Sequence, residues 1–315
     1  MRDVITSGYV SMDHIVKLNS PVRVGFTSLI ENKTCSDICY GGCSVNIAYN
    51  LRKLGVDSLP VMRVGDDYER IGFKKFLTDA SIPLDATEII PDERTSVCYL
   101  LQDNEGQHIT LFYPGAMDGK FAKDLPDDLF EDVRLAIICV GSAQDNELFF
   151  MKCKKHNIPI VFSMKGDMNA FPKPFLKELL EYSTIIATNE IERQTIETIF
   201  RSSMEELLHK GRCTHLITTL GSEGSRCTCL EGGVTKTVSA PICTYGKCVD
   251  TTGCGDAYLT GFVYGYLHGY SPRECALMGS VHASFILEEE GCCTAAPVEA
   301  AFLERYERFQ REVES

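Results

Sequence analysis

The sequence predicts an α/β protein, a three-layer α/β/α sandwich with a mainly parallel central sheet and a small β-sheet beside it. Short apolar, β-branched runs alternate with longer amphipathic stretches along the 315 residues, which is typical of βαβ units. Runs such as LAIICV, PIVFSM and TIIAT contain few polar residues, as expected for parallel strands that helices cover on both faces.

Two stretches depart from this alternation. Residues 16–40 and 94–113 resemble strand and hairpin material, and Asn104-Glu105-Gly106 is the predicted turn within the second. We assign both stretches to a small β-sheet that acts as a lid, and residues 1–15, 41–93 and 114–315 to the α/β core. An edge extension of the main sheet, or an oligomer interface, would produce the same pattern.

Composition and charge exclude several classes of protein. A hydrophobic content of 44% with 24% charged residues predicts a packed globular core and disfavours disorder. Acidic residues outnumber basic ones by 44 to 31, a formal net charge of -13, which disfavours nucleic-acid binding. The sequence contains no apolar run of about 18 residues and no secretory signal at its start, so we expect a cytoplasmic protein without a membrane partner.

Fifteen cysteines are scattered through the chain. Their spacings differ from the matched pairs of structural zinc sites, as the following groups show: Cys35, Cys39 and Cys43; Cys227 and Cys229; Cys292 and Cys293. We interpret them as reduced thiols that pack as small hydrophobic groups, with metal binding as the less favoured alternative.

The segment VDTTGCGDAY, residues 249–258, carries the strongest chemical signal. Its glycines allow a tight turn, and the amides of Gly253, Cys254 and Gly255 would point from a helix N-terminus toward an anion of phosphate size. Asp256 would lie beside that anion, where a carboxylate is useful if it accepts a proton during transfer. A helix start in which glycine supplies the turn and Asp256 only caps is the alternative.

A second segment, YGGCSVNIAYNLRKLG at residues 40–55, places two glycines before a helix. Gly41 and Gly42 allow close backbone approach, and Asn46 projects from the first helical turn, so such a turn can hold hydroxyl groups. Alone, this pattern also fits a plain connection. The sequence lacks G-x-x-x-x-G-K-[ST] and G-x-G-x-x-G, which excludes the usual P-loop and dinucleotide-binding interpretations.

Together, GGCSVNIAYNLRKLG and DTTGCGDAYLTGF resemble the two signature regions of the ribokinase-like (PfkB) family of carbohydrate and nucleoside kinases. The resemblance spans nearly the whole chain and, with FYPGAM at residues 112–117, is nearest to the bacterial adenosine kinase branch. It implies a ribokinase-like fold and an ATP- and Mg²⁺-dependent kinase that phosphorylates the 5′-hydroxyl of a ribonucleoside, adenosine first. A sugar kinase for ribose, fructose or 2-keto-3-deoxygluconate is the alternative, and a non-catalytic nucleotide or sugar sensor is a further one.

The resemblance also implies roles for individual residues. Asp256 matches the general base, and Gly253, Cys254 and Gly255 match the anion hole for the γ-phosphate. Asp13, expected at the end of the first strand, matches the acceptor of sugar hydroxyls, and the residues that line the same sugar match Gly41, Gly42 and Asn46. Cys254 stands where the family usually has Ala; because backbone amides do the binding, we expect activity to survive, with sensitivity to thiol reagents if the thiol is exposed.

The nucleotide side of the site follows from the same resemblance. Asn189 and Glu192 match an N-x-x-E element that places hydrated Mg²⁺, although a capped helix start has the same pattern. The positions that match ATP contacts are Thr219, Gly221, Gly224 and His282, for which a hairpin turn and a packed histidine are the alternatives.

Three further properties, namely base stacking, K⁺ activation and dimerisation, have no specific motif in this sequence. Phe112 and Tyr113 could stack a purine, or they could pack the core of the lid. K⁺ activation and a homodimer formed through the lid occur in the family, but neither leaves a side-chain signature in this sequence.

Overall fold

The computed structural model describes residues 1–105, 107–167, 169–231 and 234–315. The strands in this part of the chain are β1 (Arg2–Ser7), β2 (Ser11–Lys17), β3 (Cys39–Gly41), β4 (Ser58–Pro60), β5 (Met62–Gly65), β6 (Thr87–Ile90), β7 (Val97–Gln102), β8 (His108–Tyr113), β9 (Val133–Ile138), β10 (Ile160–Ser163), β11 (Ile185–Asn189), β12 (His215–Thr219), β13 (Ser225–Glu231) and β14 (Val234–Ala240). The helices are α1 (Cys43–Lys53), α2 (Phe73–Asp79), α3 (Ala143–Lys155), α4 (Lys173–Tyr182), α5 (Glu190–Phe200), α6 (Met204–Lys210), α7 (Cys254–Leu267), α8 (Pro272–Ile286) and α9 (Glu299–Glu314).

The central sheet has eight strands in the order β14-β13-β12-β11-β10-β9-β1-β4. The strands from β12 to β4 pair in parallel, whereas β13 and β14 add an antiparallel edge. Such a sheet has its crossover loops at the carboxyl ends of the parallel strands, where ligands bind in open α/β folds. This architecture confirms the predicted mainly parallel sheet.

Helices cover both faces of the central sheet, because successive strand residues point in opposite directions. Val4 belongs to a buried cluster with residues of α1, α7, α8 and α9, and its neighbour Ile5 belongs to a second cluster with residues of α3, α4, α5 and α6. Both side chains are 0% exposed. The apolar strand runs seen in the sequence are therefore buried on two sides, which confirms the three-layer sandwich.

A four-stranded sheet in the order β3-β2-β7-β8 lies beside the core and corresponds to the predicted small sheet. Its strand β2 begins at Ser11, so the expected boundary at residue 16 is too late, and much of 16–40 is irregular. β7 and β8 form the expected antiparallel hairpin. Gly106, in the predicted turn, lies outside the described residues. A buried cluster that includes Val10, Val45 and Phe73 packs between this sheet, α1 and α2.

All fifteen cysteines are free, and most of them are buried in the core. Cys248 is the exposed one, and Cys35, Cys39 and Cys254 are partly exposed. Over the residues that the structure describes, we found no helix with the length and apolar character needed to cross a bilayer.

Candidate active site

Gly253, Cys254 and Gly255, the residues of the predicted anion site, lie at the N-terminus of α7. Gly253 caps this helix in the left-handed region, with φ of 79°, and a Cβ there would lie 2.6 Å from Cys292 Sγ, so only glycine fits. The first amides of a helix have no intrahelical acceptor and point out along its axis. Among the three predicted amides, that of Cys254 donates to Thr251 O at 3.2 Å in this structure.

Asp250 holds the loop that leads into this helix, a role that we did not predict. Its Oδ1 accepts hydrogen bonds from the amide of Thr252 at 3.0 Å and from its hydroxyl at 2.9 Å. Its Oδ2 accepts from the amide of Gly291 at 3.2 Å, and the residue is 4% exposed. The buried carboxylate thereby ties the α7 loop to the segment after α8. In the sequence, the position of Asp250 at the start of the D-x-x-G motif was the signal that could have indicated this role.

Asp256 lies in the first turn of α7 with a side chain that is 5% exposed. Asn46 Nδ2, on α1, donates to Asp256 Oδ2 at 2.9 Å. Lys165 Nζ lies 2.9 Å from Oδ1, which accepts no other hydrogen bond within the described residues. One carboxylate oxygen is thus held by a neutral donor, and the other faces an ion-pair partner at the edge of the site.

Lys165 is the main site residue that sequence reasoning missed. It follows the buried strand β10 at the carboxyl edge of the sheet, and its side chain is 33% exposed. Burial works to lower the pKa of Lys165, but the charge of Asp256 and the other groups near it raise that pKa well above its ordinary value. Lys165 is therefore an ammonium at neutral pH. A charged residue two positions after a buried parallel strand was the signal that could have found it.

Gly41 and Gly42 allow the backbone to pass close to neighbouring groups, among them Asn46 and Asp13. A Cβ on Gly41 would lie 2.5 Å from Asn46 Oδ1 and 3.5 Å from Asp13 Oδ2. Gly42 has φ of 87°, and a Cβ there would lie 2.5 Å from Tyr9 O. The structure therefore brings Asp13, both glycines and Asn46 together, and Asn46 connects this group to Asp256.

Asp13 does not lie at the end of the first strand as we expected. It lies on β2 in the small sheet, because β1 ends at Ser7 and the chain turns into the second sheet at Ser11. Ser11 Oγ donates to Asp13 Oδ1. Burial raises the pKa of Asp13 to about 6, against the lowering effect of Ser11, and the charges of Asp256 and Asp250 raise it further.

Asp13 belongs to a row of residues across the small sheet. Cys39, Asp13, Cys98 and Phe112 are successive register partners on β3, β2, β7 and β8, so their side chains share one face. The Phe112 ring packs on Tyr9, with centroids 4.6 Å apart. Tyr113 points to the opposite face, where it is 49% exposed and donates to Glu93. Phe112 and Tyr113, which the sequence analysis considered together, therefore lie on opposite faces of the small sheet.

Asn189 and Glu192 form the capping box of α5, as the structural alternative predicted. Asn189 Oδ1 accepts from the amide of Glu192 at 2.8 Å, and Glu192 Oε2 accepts from the amide of Asn189 at 2.7 Å. Burial raises the pKa of Glu192, and the charges of Lys165 and Asp256 also act on it. The Glu192 carboxylate, with Oε1 outside the capping box, suits hydrated Mg²⁺, which takes few protein oxygens.

Thr219 lies at the end of β12, directly beside Asn189 in the sheet register. Gly221 has φ of 59° and no atom within 4 Å of its Cβ position, which leaves its backbone open to a ligand. Gly224 is different: a Cβ there would lie 2.2 Å from Ala240 O, so packing within the hairpin accounts for this glycine.

His282 is a packed histidine. It is 0% exposed on α8 and its ring lies 5.8 Å from that of Phe302. Burial lowers the pKa of His282 to about 3, so the imidazole is neutral. Direct contact with a nucleotide, which the family resemblance implied, does not fit this position, because the aromatic packing of α8 and α9 encloses the ring.

Cys254 is only partly exposed, and burial raises its pKa to about 12. The thiol is therefore protonated at neutral pH, although it lies at a helix N-terminus, where a thiolate would be favoured. In the part of the chain that the structure describes, no three His, Cys, Asp or Glu side chains are arranged as a metal site.

The chain is similar to known kinases over most of its length. A family model described as pfkB family carbohydrate kinase matches residues 1–299. A nucleoside kinase of Methanocaldococcus jannaschii is 30% identical over 272 residues, which cover 85% of this chain and 86% of that protein. A nucleoside kinase of Methanothermobacter thermautotrophicus is 25% identical over 307 residues, or 97% and 96% of the two chains.

The fold comparison agrees with the sequence comparison. The crystal structure of the Methanocaldococcus jannaschii nucleoside kinase, an archaeal member of the ribokinase family, matches with a TM-score of 0.85 and 26% identity. The match covers 98% of this chain and 99% of that one, so it includes the small sheet as well as the core.

Proposed function

Because the chain belongs to the pfkB family of carbohydrate kinases, we propose that it phosphorylates the 5′-hydroxyl of a ribonucleoside, with adenosine as the preferred acceptor. The family membership itself makes it an ATP-dependent phosphotransferase with an alcohol acceptor, a nucleoside or sugar kinase. The choice of a nucleoside, of its 5′-hydroxyl and of adenosine is the proposal.

The observation that carries the proposal is the connection between two carboxylates through α1. Asn46 donates to Asp256 and lies against Gly41, whose Cβ position is 3.5 Å from Asp13 Oδ2. A polyhydroxylated acceptor can therefore be held by Asp13 at one end while a primary hydroxyl reaches Asp256 at the other. A carboxylate can accept hydrogen bonds from two vicinal hydroxyls at once, which suits Asp13 to a ribose.

The chemistry follows from the positions of these groups. Asp256 Oδ1 accepts the proton of the acceptor hydroxyl as its oxygen forms a bond to the γ-phosphorus of ATP. The bond from that phosphorus to the bridging oxygen breaks, and its electron pair stays on the β-phosphate of ADP. The amides of Gly253 and Gly255 face the negative charge of the phosphoryl group, where fixed donors lower the barrier most.

Metal ions and the lid complete the proposal. Glu192 would hold Mg²⁺ through water, and Mg²⁺ would supply charge neutralisation on the phosphates. K⁺ activation stays a prediction of the family resemblance. The small sheet would close over the acceptor and exclude water, which would otherwise hydrolyse ATP. Its outer face exposes Tyr99, Leu111 and Tyr113, which fits the predicted homodimer.

Two observations favour a nucleoside over a free sugar. The relatives reported above are nucleoside kinases. In addition, Phe112 shares a face with Asp13 and packs on Tyr9, which gives an aromatic surface at the end of the row of register partners that contains Asp13. A planar base stacks favourably on such a surface, whereas a free pentose gains little from it.

The test is ATP-dependent ADP release, with Mg²⁺ and K⁺, over adenosine, inosine, guanosine, cytidine, ribose, fructose and 2-keto-3-deoxygluconate. The proposal predicts the highest kcat/KM for adenosine and a nucleoside 5′-monophosphate as product. Turnover with a free sugar alone would overturn the nucleoside assignment while keeping the reaction type. ATP binding without turnover of any acceptor would support the sensor alternative.

A further inference from the structure

The ammonium of Lys165 has two neighbours, the carboxylate of Asp256 and the first turn of α7. Its Nζ is 2.9 Å from Asp256 Oδ1, and a Cβ on Gly255 would lie 3.4 Å from it. The same ammonium therefore lies at the first turn of α7, beside the residue whose amide is assigned to the anion. Its charge also acts on Glu192, the residue proposed to hold Mg²⁺.

This position is unfavourable for a lysine that has a structural role only. The N-terminus of a helix carries a partial positive charge, so a cation there is repelled unless an anion lies between them. Asp256 supplies one negative charge, but its other oxygen is occupied by Asn46. The lysine side chain is 33% exposed, against 5% for the aspartate, so Lys165 is the partner on the more open side of this ion pair.

We propose that Lys165 binds the phosphoryl group under transfer: it pairs with Asp256 in the resting enzyme and moves onto the phosphoryl oxygens when ATP binds. The proposal rests on the proposed function, because that function places the γ-phosphate at α7. Lys165 keeps its proton throughout, and it stabilises charge on the phosphoryl oxygens through charge-assisted hydrogen bonds. Its departure leaves Asp256 Oδ1 free to accept the proton of the acceptor hydroxyl.

Two roles of Lys165 must be distinguished, namely neutralising Asp256 and binding the γ-phosphoryl group. The first role acts through Asp256 and disappears when that carboxylate is replaced by an amide. The second role acts on ATP itself and distinguishes a triphosphate from a diphosphate. Binding of the β,γ-imido analogue of ATP and of ADP, measured by calorimetry with Mg²⁺ and without an acceptor, reports on both roles.

We expect Lys165→Met to weaken binding of the imido analogue by about 10-fold or more and binding of ADP by less than about 2-fold, since one charge-assisted contact is lost from the γ-phosphoryl group only. The same loss should appear in the Asp256→Asn background. An equal loss for both nucleotides would overturn the proposal. So would a loss that vanishes in the Asp256→Asn background, because Lys165 would then act only as the partner of Asp256.

Control variants keep the test decisive. Lys165→Gln retains a donor to Asp256, so it addresses the same question if Lys165→Met does not fold, and Lys165→Arg should restore most of the preference for the triphosphate. Lys152→Met removes a lysine of α3 that pairs with Asp124 at 3.1 Å and Asp127 at 3.2 Å, and it should change neither affinity. The wild-type turnover assay tests the proposed function separately, because the binding assay contains no acceptor.

Discussion

Asn46 and Asp256 are 210 residues apart in the sequence, and Asn46 Nδ2 donates a hydrogen bond of 2.9 Å to Asp256 Oδ2. Both side chains belong to the first turns of helices, α1 and α7, whose N-termini meet above the carboxyl edge of the central sheet. The bond fixes one oxygen of the carboxylate and leaves the other toward the site. It therefore links the proposed acceptor pocket to the proposed base.

Replacing Asn46 by Ala should lower kcat/KM for the acceptor by about 10-fold to 100-fold, because a buried hydrogen bond to a charged group contributes about 1.5–3 kcal/mol. Steady-state kinetics with purified variant enzyme measure the effect. KM for ATP should stay near the wild-type value, since Asn46 lies on the acceptor side. Unchanged kcat/KM for the acceptor would show that this bond does not orient Asp256.

Acid should weaken acceptor binding through Asp13. Burial raises the pKa of Asp13 to about 6, so the carboxylate accepts from two hydroxyls above pH 6 and becomes protonated as the pH falls below it. We expect kcat/KM for the acceptor to fall by about 10-fold per pH unit below this value. The Asp13→Asn variant is the control: its rate should be low, and a pH profile identical to that of the wild type would contradict the assignment.

Gly253→Ala should destabilise the protein and reduce turnover together. Gly253 has φ of 79°, and its Cβ would lie 2.4 Å from Cys292 Cβ, so strain and a clash both apply. Gly269→Ala is a matched control, with φ of 78° and nothing within 4 Å of the Cβ position. We expect a loss of about 1 kcal/mol for the control and clearly more for Gly253→Ala in chemical denaturation.

The kinetic part of this comparison tests the anion site. Only Gly253→Ala should lower kcat, because it displaces the amides at the start of α7, whereas Gly269 lies beyond the end of that helix. Equal kcat values for the two variants would contradict the assignment of these amides to the phosphoryl group.

Thiol reagents should leave the activity largely intact at pH 7.5. Burial raises the pKa of Cys254 to about 12, so the reactive thiolate is scarce, and the exposed Cys248 should be alkylated first. Mass spectrometry of the partly alkylated protein, with parallel rate measurements, follows both events. Rapid inactivation by iodoacetamide that Cys254→Ala abolishes would show the opposite, a reactive thiol in the anion site.

The sequence was sufficient to predict the fold class because the apolar strand runs are continuous and their burial on two sides follows directly. It was also sufficient to group Asp13, Gly41, Gly42 and Asn46, because long motifs identified them. The boundary between the core and the small sheet could not be predicted in the same way. The chain leaves the core sheet after Ser7 and enters the small sheet at Ser11, and no proline or run of charged residues marks that turn in the sequence.

Lys165, the main site residue that the sequence did not reveal, was missed for a physical reason. Lys165 contacts Asp256 only through tertiary structure, across the carboxyl edge of the sheet, and no local spacing connects the two positions. His282 is the reverse case: the family resemblance assigned it to the nucleotide, but helical periodicity alone did not reveal that its ring packs between α8 and α9.

The most direct test of this account compares adenosine phosphorylation by the wild type and by Asp256→Asn under saturating ATP and Mg²⁺. The account predicts that the wild type forms adenosine 5′-monophosphate and that the variant loses about 10²- to 10⁴-fold in kcat, as expected for removal of a general base, with ATP affinity retained. A variant that keeps wild-type kcat would contradict the central claim that Asp256 accepts the proton of the hydroxyl.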